Sequence, residues 1–493
     1  MIPVLLIAIP VLAGLVSFFI KEEKTVKAWA LFSSLVILAV SIAGLTVLKE
    51  EKYLAAQCDW LQILGSSFSV KLDGMGQLLC LLAAVAYPLI FTSTWHSQYK
   101  KPNHFYALML LGMAGMIGVF VAMDALLFYF FWELALIPMY FLCSQWGGEK
   151  RIRVTFKFFI YTFVGSVLML IGIIYLQSQT PDHTFSIEAF YKLQLAPGTQ
   201  AWLFWLLFIA FAIKMPIWPL HTWQPDTYEQ SPTATTMVLS GIMVKMGLLG
   251  VVRWLLPVLP VASYSWGDMV MSMSVIGIIY ASLIAIRSDD IKRLIAYSSI
   301  AHIGLMCMAI FTIQKTGTQG AIIQMFNHGV NIIGLWIMVE LIERQFGTRK
   351  LSELGGLAQK APATAIFFVI IALANIALPL TNAFAGEFLM FNSLLNAKTT
   401  QLYAILFTVF AGLGIILAAI YTLNMIRKIF FGEATVATAA AYDLKLNEKL
   451  ALGIIVILIF WMGVYPQTLL DIADKTSQDV VERVIHAITP KAK

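Results

Sequence analysis

The fold class this sequence predicts is an all-α polytopic membrane protein with about 14 transmembrane helices. Three observations carry it. Of 493 residues, 60% are hydrophobic and only 12% charged, at a mean hydropathy of +0.82. A water-soluble fold of this size cannot hide that much apolar surface, so the bilayer must be the solvent for most of it. Apolar runs of roughly 20 residues, the length that crosses the hydrocarbon core, fall near 2–20, 28–48, 73–95, 104–122, 124–143, 154–177, 201–220, 233–256, 268–286, 293–312, 318–341, 363–396, 401–430 and 450–470. The seventh and twelfth of these spans are interrupted. Trp202–Gln224, WLFWLLFIAFAIKMPIWPLHTWQ, holds Lys214 with Pro216 and Pro219 just beyond it; LPLTNAFAGEF holds Pro379 and Gly386. Proline removes a backbone donor and clashes with the carbonyl four residues back. A plain anchor has no use for such a break, whereas transporters place them beside midplane sites.

The spans follow in order. MIPVLLIAIPVLAGLVSFFI lacks a basic n-region, and its apolar run is too long for a signal peptide, so it reads as span 1. Span 4 contains GMAGMIG (112–118), whose small residues three apart inside an apolar run suit close helix packing rather than nucleotide binding. Cys58, Cys80, Cys143 and Cys307 are scattered and show no CxxC or Cys/His ligand spacing, which argues against zinc or an iron–sulfur cluster. No linker is long enough to separate soluble domains. The polar stretch Asp471–Lys493 is expected to lie on the surface or fray.

The net charge of +6 is not a nucleic-acid signal here; its meaning lies in which loops carry it. Odd-numbered connections hold Lys21, Lys24, Lys27, Lys100, Lys101, Lys150, Arg151, Arg153, Arg287, Lys292, Arg293, Arg344, Arg349, Lys350, Lys360, Arg427, Lys428, Lys445 and Lys449. Even-numbered ones hold only Lys49, Lys52, Lys71, Lys192, Arg253, Lys315 and Lys398. The positive-inside rule puts the odd loops in the cytoplasm and both termini in the periplasm. Lys475, Arg483, Lys491 and Lys493 in the tail oppose this only slightly.

Lys214 and Glu387, each beside a proline interruption, are separated by about the same distance as the starts of the spans near 104 and 268. This predicts two five-helix repeats, spans 4–8 and 9–13, with discontinuous helices 7 and 12. A five-helix unit starts on one face and ends on the other, so two in tandem are inverted. The chain then divides into 1–103 (three helices), 104–260 and 261–432 (the two repeats), and 433–493 (last helix and tail).

Six ionisable side chains fall well inside spans: Glu133, Lys214, Lys245, His302, His328 and Glu387. A charged group at bilayer depth costs roughly 2–3 kcal/mol on insertion scales. Internal ion pairs that fix helix register are the bland explanation for any one of them, and hydrogen-bonded packing for a histidine. Spread over spans 5, 7, 8, 10, 11 and 12, the set reads better as a proton relay. Burial and a neighbouring carboxylate act on a lysine's proton affinity in opposite senses, so a small movement of the partner loads or releases a proton. Histidine titrates near neutrality. Sodium prefers several oxygens, which two lysines do not supply. Asp124, Glu149 and Glu340 lie near span ends, where a solvated or interfacial place is expected. In RSDDIKRLIAYSS (287–299), Asp289 and Asp290 suit a helix N-terminus, and the charged turn is expected to act mainly on topology.

FWELALIPMY (131–140), FAIKMPIWPLHTWQPDTYEQSPT (211–233), VKMGLLGVVRW (244–254), DIKRLIAYSSIAHIGL (290–305) and GEFLMFNSL (386–394) closely resemble the antiporter-like subunits of respiratory complex I and the Mrp-type cation/proton antiporters. The resemblance runs from about residue 70 to 430. It is nearest the M-type members: Glu387 stands where L-, N- and Mrp-type sisters place a lysine, no long lateral helix follows span 14, and three N-terminal spans are present. LTNAFAGEF departs from the M pattern, which has more glycine before GEF. The resemblance implies that Glu133 is the carboxylate partner of a switch lysine, Lys214, and that Lys245 continues the relay. It implies His302 as a water-bridged link, His328 as its neighbour, and Glu387 as the terminal group toward the periplasm. It also implies a bacterial inner membrane, L- and N-type neighbours, the lateral helix of the L subunit as a partner, and no nucleic acid. NADH, FMN, iron–sulfur clusters and quinone would belong to other subunits, with no cofactor or metal held by this chain. An Mrp-type exchanger of sodium for protons, a membrane subunit of a hydrogenase and a non-transporting scaffold are the alternatives. The scaffold would have no need of the polar line, and neighbouring genes would separate the others.

Overall fold

The structure, a computed structural model, describes residues 1–397, 403–438 and 441–489. Lys398, Lys491, Lys493 and the first two residues of the predicted 401–430 span lie outside them. Among the described residues, 12 helices are long and apolar enough to cross a membrane, and the chain is a polytopic helical membrane protein. The two predicted spans missing from that set are span 1, a shorter apolar helix at Ile2–Ser17, and span 12, which is divided into Pro362–Asn375 and Asn382–Leu395.

The most apolar stretches of spans 8 (Thr233–Leu255), 10 (Ile291–Phe311) and 11 (Lys315–Phe346) are wholly buried, whereas only a third is buried in spans 2, 13 and 14. The three inner helices carry Lys245, His302 and His328, so the costly groups face protein rather than lipid. Span 8 is wound irregularly, with π-turns at Leu239–Met243 and Val251–Leu255.

Spans 4 (Pro102–Val121) and 5 (Ala125–Trp146) pack as GMAGMIG suggested. A Cβ on Gly115 would lie 2.5 Å from the Ala135 nitrogen, one on Gly112 2.3 Å from the Met139 methyl, and one on Gly118 2.2 Å from the Phe131 ring. Small residues bring the backbones together because dispersion, not water, drives association in lipid.

The loops separate into two sets. On one face, Lys27 donates to the carbonyls of Trp95 and Ser97, Ser97 to Glu340, Trp146 to the Lys100 carbonyl, and Arg349 to Glu229. These are contacts among odd-numbered connections and adjoining helix ends. On the other, the N-terminal ammonium donates to the carbonyls of Tyr53 and Ala55, and Lys315 pairs with Asp474. Both chain ends therefore share the even-loop face.

Two features there depart from expectation. Residues between spans 2 and 3 form an antiparallel hairpin, β1 (Ala55–Leu61) and β2 (Ser66–Lys71), turned at Gly65 with φ +77°. No sequence signal marked it. Asp124 is fully buried beneath it rather than solvated: its carboxylate accepts from Ser66 Oγ, the Ser67 N–H and the N–H groups of Leu126 and Leu127. It thus caps span 5 and anchors the hairpin in one set of bonds. The polar tail lies on the surface as expected, and its described part is helical rather than frayed. Gln467–Ile488 is a 22-residue helix burying Leu469, Ala473, Val480, Val481 and Val484. Its apolar residues recur at helical spacing, so it has a face to bury; Thr476 Oγ1 accepts from the Gly74 N–H, and Arg483 stacks on Tyr191.

Candidate functional site

Span 7 consists of Pro197–Lys214 and Trp223–Gln230 with an irregular Met215–Thr222 between them. Its freed groups find partners: the Trp223 indole donates to the Ile213 carbonyl at 2.9 Å, and Lys157 to the Thr222 carbonyl at 2.7 Å and to Asp226 at 2.9 Å. Lys214 is the last residue of the first half. The carbonyl end of a helix favours an ammonium there, which is why the break and the lysine belong together.

The break in span 12 covers Ile376–Thr381, earlier than the predicted Pro379–Gly386. Gly386 lies inside the second half-helix, where its missing side chain makes room for Gln324. Ala377 and Leu380 take φ of +55° and +72° in the break. This is the left-handed region that the glycine missing from LTNAFAGEF would enter freely. Span 11 compensates: Asn327 donates to the Asn382 carbonyl at 2.7 Å and Asn331 to the Ala374 carbonyl at 3.2 Å. The two asparagines, four apart, share one helix face.

Four of the six predicted side chains form one connected line. Lys245 Nζ donates to the Ser240 carbonyl at 2.8 Å and lies 3.0 Å from His328 Nδ1. The π-turn at Leu239–Met243 holds that carbonyl. The rings of His328 and His302 are 5.6 Å apart, and His302 Nδ1 is 3.4 Å from Glu387 Oε1. His328 therefore stands between Lys245 and His302. Asn375, the last helical residue before the span 12 break, reaches His302 Nε2 and Ser298 Oγ, both at 3.4 Å, and Tyr421 donates to Ser298 at 2.9 Å. A cavity of about 30 Å³ touches His302, Glu387 and Tyr421, room for one water.

Glu133 and Lys214 make no ion-pair contact. Glu133 Oε1 and Lys214 Nζ are both buried with no hydrogen-bond partner among the described residues, and the ammonium lies over the Trp132 ring, 5.1 Å from its centroid. Gln324 Oε1, Asn327 Oδ1, Asn331 Oδ1 and His328 Nε2, all on span 11, are likewise buried without a hydrogen-bond partner among the described residues. Buried polar groups are normally bonded to protein or ordered water, so these atoms are places for bound water.

On the odd-loop face a cavity of about 680 Å³ is lined by Glu229, Glu340, Glu343, Lys292, Arg344 and Arg349 among others. RSDDIKR is more than a topology signal there: Asp290 caps span 10 and binds Arg349, Lys292 binds Glu343, and Arg293 binds Asp226 and Glu229. Sequence reading missed Trp132, Ser240, Asn375 and Tyr421. The first two act through a ring face and a carbonyl, which leave no ionisable signal. The asparagines of NHGVN were legible as polar residues on an apolar helix.

A sequence profile described as "NADH:quinone oxidoreductase/Mrp antiporter, TM" matches residues 122–414. NADH-quinone oxidoreductase subunit M of Rhodobacter capsulatus is 37% identical over 432 residues, covering 85% of this chain and 83% of that protein. A chain of respiratory complex I from Thermus thermophilus with bound NADH superposes with a TM-score of 0.89 at 26% identity, over 97% of this chain and 100% of that one. A chain of the Mrp complex from Dietzia sp. DQ12-45-1b gives 0.83 at 18% identity, over 98% and 99%, a likeness of fold alone.

Proposed function

Because the chain belongs to the NADH:quinone oxidoreductase/Mrp antiporter family of membrane proteins, we propose that it is the M-type proton-translocating subunit in the membrane arm of a bacterial NADH:quinone oxidoreductase. The observation that carries this reading is the line Lys245–His328–His302–Glu387, running through three wholly buried helices to a broken one. Protons reach the odd-loop cavity from the cytoplasm, and Glu340, Glu343 and Glu229 gather them. Lys214, held at the end of a half-helix, approaches and leaves Glu133, and its charge sets the occupancy of Lys245. The proton then passes over His328 and His302, and Glu387 releases it toward the periplasm. An acid at this last position favours the M type over the Mrp exchanger.

The same reading counts 14 crossings in two inverted repeats, spans 4–8 and 9–13, flanked by 1–103 and 433–493. The two breaks and the shared face of the chain ends support it. L- and N-type subunits adjoin this one, the lateral helix of the L subunit runs along it, and NADH, FMN, iron–sulfur clusters and quinone are held elsewhere in the complex.

The test is coupled proton transfer by the native assembly in vesicles. Glu133→Gln and Lys214→Ala should assemble, judged by native electrophoresis, and should lose most NADH-driven proton uptake. Normal uptake in either variant would leave only a structural role for the pair.

A further inference from the structure

Lys214 is 1% exposed, yet its ammonium has neither a hydrogen bond nor an ion pair among the described residues. Burying a charge in that condition is costly. What it does have is the face of Trp132, whose centroid is 5.1 Å away, inside the range in which a ring quadrupole attracts a cation. Trp132 is itself 1% exposed and is held by Phe128 and Phe211, with ring centroids 5.5 and 5.9 Å distant. Glu133 is the next residue of the same helix, so carboxylate and ring project about 100° apart from one turn. Lys214 is the last residue of the first half of span 7, beside its break, and lies over the Trp132 ring.

We propose that Trp132 is a positioning residue of the lysine switch. Its ring holds the ammonium of Lys214 when that ammonium is separated from Glu133, so the two neighbours offer alternate resting places. Separation of the pair then exchanges a carboxylate for a ring face instead of for bare apolar surface, and the open arrangement is populated at every cycle. The inference rests on the proton-translocating reading above.

Site-selective replacement of Trp132 alone by mono-, di- and trifluorotryptophan, through a suppressed stop codon in the assembled complex, weakens the ring face stepwise while keeping its shape. NADH-driven proton uptake in vesicles should fall in the same order, by about two- to thirtyfold across the series, the range that cation–π strengths span. Trp132→Phe should lie within the series and Trp132→Leu at or below its end, with assembly unchanged. A flat or rising fluorine series overturns the proposal, even if Trp132→Leu is impaired, because that loss would then be packing alone. Lys214→Ala in the same vesicles separates the two readings. If it pumps normally, the relay itself fails. If it is inactive and the fluorine series is flat, only the role of Trp132 fails.

Discussion

Replacing Lys245 with methionine tests the relay at its most constrained point. Methionine has nearly the same length, so it leaves little cavity in a site where Lys245 is fully buried. Two contacts vanish, to the Ser240 carbonyl at 2.8 Å and to His328 Nδ1 at 3.0 Å. An orphaned buried acceptor costs about 1–3 kcal/mol. Against that, the variant no longer strips water from an ammonium, a penalty of several kcal/mol. The two terms are of similar size and opposite sign, so the protein should fold and assemble. Transport should not survive. Nδ1 of His328 has Lys245 as its hydrogen-bond partner, and Nε2 has none among the described residues. A positioned proton-transfer group contributes about 10²- to 10⁴-fold, so coupled proton transfer should fall by about 10²-fold or more. The assay is dye-reported acidification of vesicles driven by NADH, normalised to assembled complex on native gels. A methionine variant that assembles and acidifies vesicles at more than half the parental rate would refute the line from Lys245 to Glu387.

Glu387→Ala should assemble and lose proton transfer, since its contact is one imidazole at 3.4 Å; Glu387→Lys should retain part of the activity if only an exchangeable proton is required, and an alanine variant with normal acidification would remove the residue from the path. Gly115→Ala should force spans 4 and 5 apart against backbone atoms 2.5–2.8 Å away, lowering stability by about 1–3 kcal/mol; thermal unfolding in detergent, with Gly198→Ala as the control that meets nothing, reads it out. Asp443 caps the first half of span 12, accepting from the Ala363 and Thr364 N–H groups and the Thr364 hydroxyl. Burial pushes its carboxyl up, but the N–H groups of Ala363, Leu444 and Thr364 with the Thr364 hydroxyl outweigh it and hold it below its ordinary value. A carboxyl held lower in the folded state stabilises above the unfolded value and loses that contribution as pH falls through the folded one. The stability deficit of Asp443→Asn should therefore be constant near neutrality and shrink below about pH 4, in thermal scans at stepped pH.

Apolar length and proline were enough to read most of this protein from its residues. Runs of about 20 apolar residues have one stable form in lipid, and a proline pair beside Lys214 has one consequence, a broken helix. The six ionisable groups were equally plain, because nothing else in an apolar run justifies their cost. Which of them touch was not legible. His328 stands between Lys245 and His302 because of how spans 8, 10 and 11 rotate against one another, and rotation is set by packing summed over many neighbours. The break in span 12 falls at Ile376–Thr381 because Asn327 and Asn331 of another helix reach its carbonyls. Lys214 rests on Trp132 rather than on Glu133 because both lie on one turn of span 5 and the half-helix presents the lysine to the ring. Each of these depends on the relative placement of helices distant in the chain, a property that periodicity and composition do not encode and that tertiary packing alone decides.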